Sequence, residues 1–223
     1  MISAISKSDV NEAIFLSTNK NVAPVNVMEM TRALMEKLVS SYKDLVHKTY
    51  ITRYENVIGT RGSEIPESID SLRSKNEVTV TNLLMIKFLM SLSEFVDFVL
   101  HNIKYQNPRD LSLQMSLYET ILTIYSTLSE LMDITNPKVI TIGSRPGKII
   151  VKTLITFEEI FFSSNTDEFF RVPKRTFMQN YPSLNWTTKN GDYTSADTRP
   201  FTVNELMDVF SHDEKIPRLI HGE

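Results

Sequence analysis

Cysteine is absent from this sequence of 223 residues, and glycine is scarce at six residues. Without cysteine there are no disulfides, no thiolate-ligated zinc and no cysteine nucleophile. Average usage of about 7 % would put roughly fifteen glycines in such a chain. Few left-handed turns and few backbone-lined phosphate loops are therefore available. An excess of charge of one sign is also missing: 24 basic against 27 acidic residues leave a formal charge of −3, which removes the electrostatic footprint of a general nucleic-acid or anionic-membrane binder. No apolar run reaches the ~20 residues that span a bilayer. The nearest, Leu83 to Ile103, is interrupted by Lys87, Glu94, Asp97 and His101. The opening MISAISKSDVNEAIF has no basic segment leading into an apolar core, so neither a secretory signal nor a transit peptide is expected.

What is present is ordinary globular composition, 41 % hydrophobic and 23 % charged, enough to bury a core and too apolar for wholesale disorder. Turn-forming residues are unevenly spread: residues 1–136 hold five Gly or Pro and residues 137–223 hold ten. The first part accordingly reads as long helices and the second as turns and short elements. A short helix is expected over Ser8–Ser17. Asn26 and Glu29 have capping-box spacing, and Val27, Met30, Leu34, Leu38, Tyr42, Leu45 and Val46 then recur at three- and four-residue steps, predicting a helix from there to about Ile58 that stops at Gly59. Asn76 is read as the cap of a third helix carrying Val80, Leu84, Phe88, Leu92, Phe95, Val96 and Val99. Asn107-Pro108 with Asp110 is read as the start of a fourth, running through Leu113, Leu117, Ile121, Ile124, Tyr125, Leu128 and Leu131 to Asn136-Pro137.

Beyond Pro137 the period becomes two, and Lys138–Ile142 with Ile149–Thr153 around Arg145-Pro146-Gly147 predicts a β-hairpin. Leu154–Phe162 fits either a strand or a helix. Residues 163–200 show no periodicity, yet Phe169, Phe170, Phe177, Tyr181, Trp186 and Tyr193 fall there. An irregular segment with so many aromatics is expected to lie on another surface. Thr202 and Glu205 form a second capping-box pattern ahead of a short helix, Val203–Phe210.

Tests for chemistry come out negative. Gly143 to Lys148 has three residues between its glycines where a phosphate loop needs four, Ile149 in place of a magnesium-binding hydroxyl, and Pro146 where a backbone donor is needed. His47, His101, His212 and His221 lack metal-ligand spacing, and Glu158-Glu159 and Asp167-Glu168 are adjacent pairs that diverge instead of converging on one atom. Arg171, Lys174 and Arg175 among Phe169, Phe170 and Phe177 form the one local candidate for stacking and phosphate contact, more suited to a protein partner with Asp167 and Glu168 beside it.

The expected fold is mainly α: a bundle of long antiparallel helices over 1–136, a small β-hairpin element over 137–162, and an irregular aromatic-rich C-terminal arm over 163–223 with a short terminal helix. The expected function is a non-enzymatic structural or assembly protein, a subunit or adaptor of a larger complex such as a virion component (phage neck, connector, tail or baseplate), with a soluble helical regulatory module binding a protein or nucleic-acid partner as the alternative. No cofactor, metal or membrane partner is expected. Other protein subunits, in a homo- or hetero-oligomer, are expected to contact Phe169, Phe170, Arg171, Lys174, Arg175, Phe177, Tyr181, Trp186 and Tyr193. The expected location is the cytoplasm of the producing cell, or the virion. A catalytic site assembled from residues far apart in sequence stays open.

Overall fold

The computed structural model describes residues 2–42, 48–143, 152–166, 169–173 and 191–222. In chain order the elements are α1 (Ile2–Ile5), β1 (Glu12–Thr18), α2 (Val27–Ser41), β2 (Lys48–Tyr54), β3 (Asn56–Val57), α3 (Glu64–Lys75), β4 (Glu77–Val80), β5 (Ile86–Met90), α4 (Leu92–Tyr105), β6 (Leu111–Gln114), β7 (Tyr118–Thr120), α5 (Ile121–Leu131), β8 (Lys138–Thr141), β9 (Thr153–Ile155), α6 (Phe157–Phe162), β10 (Ser164–Thr166), β11 (Phe169–Val172), β12 (Tyr193–Thr194), α7 (Val203–His212) and α8 (Ile216–His221). They divide into two compact units: residues 1–54, 96–115 and 153–194 form unit 1, and residues 55–95, 116–152 and 195–223 form unit 2.

Unit 1 is built on a five-stranded sheet in the order β1-β2-β6-β11-β10. The first three strands are parallel, Phe15 lying beside Ile51 and Ile51 beside Leu111, and the last two are antiparallel. Alternate side chains point to opposite faces. On one face Phe15, Ile51, Leu111 and Val172 are covered by Val39 and Met35 of α2. On the other, Phe169 stacks on Phe98 and His101 of α4 with ring centroids 5.3 and 4.7 Å apart.

Unit 2 holds two small sheets, β3-β5-β7 and β4-β8. Its core gathers Ile69 and Leu72 of α3, Ile121, Ile124 and Leu128 of α5, Leu206 and Phe210 of α7 and Ile216 of α8. Arg73 closes α8 by donating to the carbonyl oxygens of Leu219 and Ile220.

The expected helical bundle is therefore corrected to a mixed α/β architecture with a parallel sheet. The segment Ser8–Ser17 is not a helix: its apolar run Ala13–Leu16 is strand β1, and runs of four to eight apolar residues carry no period that separates strand from helix. The second helix ends at Ser41, and the β-branched and aromatic Thr49–Thr52 enter β2. Asn76 is a C-cap in the left-handed region at φ 52°, ending α3 before β4. Helix α4 starts only at Leu92, after β5. Asn107-Pro108 opens a turn, and the fourth helix starts at Ile121, capped by the Thr120 hydroxyl.

The caps at Asn26 and Thr202 form at α2 and α7, the latter with both reciprocal bonds to Glu205. Strand β8 pairs in parallel with β4, and β9 pairs with β12, while the expected turn at Arg145–Gly147 lies outside the described residues. Leu154–Phe162 divides: strand to Ile155, then α6 behind a Thr156–Glu159 capping box. No described helix is long and apolar enough to cross a membrane.

Candidate functional site

Within unit 1 the carboxyl ends of parallel β1 and β2 bring together residues far apart in sequence. Register sets Ser17 beside Arg53, on the face that α2 covers. Arg53 is the hub. Its Nε donates to Glu36 Oε1 and Oε2 at 3.0 and 3.2 Å, and its Nη2 to Glu36 Oε2 at 2.7 Å. Its Nη1 and Nη2 donate to the two carboxylate oxygens of Glu159, each at 2.8 Å. Ser17 Oγ donates to Glu36, and Asn21 Nδ2 donates to Ser17 Oγ at 2.5 Å. The α6 capping box orients Glu159, whose Oε2 accepts from Thr156 N at 3.2 Å.

The Arg53 side chain is 3 % exposed and those of Glu36 and Glu159 are 5 % and 13 % exposed, so the cluster lies out of water. Burial on its own lowers the Arg53 pKa, and the adjoining Glu36 and Glu159 carboxylates more than reverse this, leaving it raised. Burial likewise pushes Glu159 up, while its bonds to Arg53 and Thr156 bring it below its ordinary value. All three guanidinium nitrogens are engaged, so Arg53 acts as a brace tying α2 and α6 to β2.

A cleft of about 680 Å³ opens beside this brace, with Lys37, Ser41, Arg109 and Asp192 on its walls. Asp192 is fixed by accepting from Phe157 N at 2.7 Å. Arg109 holds a backbone φ of 72°, a left-handed conformation that costs a non-glycine residue about 1–2 kcal/mol. Its amide donates to Thr49 O, which fixes the turn that leads into β6.

Of the residues singled out in the sequence, Phe169 stacks on α4, Phe170 is buried against Tyr193 with centroids 5.1 Å apart, and Arg171 Nε donates to Asp110 Oδ2 at 2.6 Å. All four lie inside unit 1. Lys174, Arg175, Phe177, Tyr181 and Trp186 lie outside the described residues. Sequence inspection missed the Glu36–Arg53–Glu159 brace, whose members stand 17 and 106 residues apart. The Thr156-x-x-Glu159 spacing was the one local signal that pointed toward it.

An open sheet with parallel strands, helices on both faces and polar residues at the strand ends is the architecture of nucleotide-binding α/β proteins. The chain belongs to the family described as polysaccharide biosynthesis protein, whose model matches residues 1–174. It is 32 % identical over 218 residues to the UDP-glucose 4-epimerase of Rickettsia canadensis, covering 94 % of this chain and 64 % of that protein. The X-ray structure of Pen from Bacillus thuringiensis superposes with a TM-score of 0.82 at 23 % identity, over 94 % of this chain and 64 % of that one. A Bacillus anthracis dTDP-glucose 4,6-dehydratase in complex with NAD gives a TM-score of 0.55 at 11 % identity, over 60 % of this chain and 50 % of that one. The chain thus spans less than two thirds of the length of the curated relative it matches. These relationships overturn the expectations of a virion assembly protein, of a helical regulatory module and of a chain without enzymatic kinship.

The fold's relatives raise the question of a dinucleotide, and the residues present do not fit one. No G-x-G-x-x-G occurs in the sequence. The one glycine turn leading from a described strand toward a helix, Gly59 to Gly62, precedes α3, whose first turn carries Glu64 and Glu67. Those carboxylates repel a pyrophosphate at a helix N-terminus. A Cβ on Gly59 would stand 3.2 Å from the Asp213 carboxylate, so an acid already closes that side of the turn.

Proposed function

We propose that this chain is the sugar-nucleotide-handling part of an enzyme that modifies a nucleoside-diphosphate sugar. The observation that carries the proposal is the 218-residue match, at 32 % identity, to a protein named UDP-glucose 4-epimerase. Geometry agrees with it. Ligands of open α/β sheets bind outside the carboxyl ends of the strands, and in unit 1 the end of β1 runs into the turn Asn19–Asn21. The Thr18 side chain caps that turn by accepting from Lys20 N, and Asn19 and Asn21 are buried beneath it. The exposed Lys20 side chain at the tip supplies a positive charge for the diphosphate.

Ligand-induced thermal stabilisation of the full chain tests this. UDP-glucose at about 100 times its dissociation constant adds about 2.7 kcal/mol of stability, and Lys20→Ala weakens the response. If UDP-glucose and dTDP-glucose both leave the melting temperature unchanged at millimolar concentration, the proposal fails.

A further inference from the structure

We infer that Asn21 is a positioning residue for Lys20: through Ser17 and Glu36 it ties the turn that carries the lysine to the Arg53 brace, and so fixes where that charge meets a diphosphate. This rests on the reading of Lys20 as the diphosphate contact. Three features of unit 1 support it.

The first is the build of the turn. Asn19–Asn21 is a single 3-10 turn, closed by Val22 N donating to Asn19 O at 3.1 Å. So short an element has poor internal hydrogen-bond geometry and holds its shape only when other groups anchor it. Asn19 and Asn21 are 3 % and 4 % exposed, while Lys20 between them faces solvent. The seating of the buried neighbours therefore sets the direction of the lysine.

The second is the sense of the hydrogen bonds beneath Asn21. A carboxylate accepts only and a guanidinium donates only. Arg53 donates to Glu36 at 2.7 to 3.2 Å, and Ser17 Oγ donates to the same carboxylate. Having given up its one hydrogen, the Ser17 hydroxyl has only lone pairs left, and Asn21 Nδ2 donates to it at 2.5 Å and to Glu36 Oε1 at 3.4 Å. No member of this series can be reversed, so the Asn21 amide has one orientation. An apolar residue of similar volume would fill the site without the cost of burying a polar group, and without that direction.

The third is a second attachment from the same source. Strand β9 packs against the turn, and it runs through the Thr156 cap into α6, which supplies Glu159 to Arg53. One segment, Thr153–Phe162, thus holds the turn directly and also holds the far end of the brace.

Calorimetric titration of the full chain with UDP-glucose, well below its melting temperature, tests the inference. Lys20→Ala measures the share of the lysine itself. Asn21→Leu keeps the volume, removes the donor and is expected to weaken binding about tenfold. Combined with Lys20→Ala it is expected to add nothing further, because Asn21 acts through the lysine. Ser17→Ala is expected to weaken binding in the same non-additive way, and it decides the matter if Asn21→Leu does not fold. Thr202→Ala, at a helix cap of unit 2, shows what a merely structural loss does: a lower melting temperature with unchanged affinity. The inference is overturned if Asn21→Leu and Ser17→Ala bind as the wild type does, or if their losses add in full to that of Lys20→Ala. Either result, with Lys20→Ala still weakening binding, leaves the preceding proposal standing. A wild-type chain that binds neither UDP-glucose nor dTDP-glucose removes both, and Lys20→Ala with wild-type affinity removes the lysine contact and this inference together.

Discussion

Helices α2 and α5 carry the same kind of sequence pattern and meet opposite fates. On α5, Ile121, Ile124, Tyr125 and Leu128 are all buried, packed in a cluster with Leu206 and Phe210 of α7. On α2, the equally regular Val27, Met30, Leu34 and Leu38 face outward. Periodicity establishes that a helix has an apolar face. It is silent on whether the covering element belongs to the same chain. The same contrast separates the two cores: that of unit 2 is fed by four helices, whereas the cluster between α2 and the sheet holds five buried residues, Phe15, Val39, Ile51, Leu111 and Val172. Unit 1 supplements its small apolar core with the Arg53 brace.

That difference can be broken from either side. Arg53→Ala gives the largest expected effect, a loss of about 3–5 kcal/mol at neutral pH, because two buried carboxylates lose their partner. Chemical denaturation measures it. The wild-type pH dependence has a definite sign: Glu159 is held below its ordinary pKa, so its contribution is complete above the unfolded carboxylate value and disappears as the pH falls through the depressed one. Arg53→Ala is expected to flatten that acid limb. A full-size limb in the variant would show that the brace is not its source.

Next in size is a matched pair of truncations on the two helices. Leu128→Ala, at a fully buried position of α5, is expected to cost about 2–5 kcal/mol. Leu34→Ala, at a position 58 % exposed, is expected to fall within about 0.5 kcal/mol in the free chain. Equal losses in urea titrations would mean that the α2 stripe is covered after all. The smallest effect is expected at the caps: Thr202→Ala, where Glu205 pairs with the exposed Arg199, costs about 1 kcal/mol. Thr156→Ala is expected to cost more than Thr202→Ala, because the Glu159 it orients also holds Arg53.

Local chemistry was the legible part of this sequence. The cap at Asn26 and the capping box at Thr202 were both legible, but at α2 only half of the expected box forms, because the Glu29 side chain accepts from Val25 N instead of Asn26 N. The sheet was not legible. Glu12 pairs with Lys48 and Ile51 with Leu111, and parallel partners separated by a crossover leave no turn signal between them. Asn76 shows how one residue type serves opposite ends: asparagine caps a helix start with its side chain and ends one by tolerating the left-handed region, and the preceding α3, with its marginal apolar content, gave no warning of the second use. The brace was invisible because its charges come from α2, β2 and α6, each unremarkable in its own segment.

Among the described residues nothing pairs with the outer edge of β1, and that has a cost. Natural sheets blunt such edges with proline, a bulge or an inward lysine, and Ala13–Ser17 contains none of these in unbroken register with β2. Any extended apolar segment of another molecule is therefore a competitor for the same row of amides and carbonyls. The yield of dispersed chain is then expected to fall as its concentration rises, because pairing along that row is between molecules.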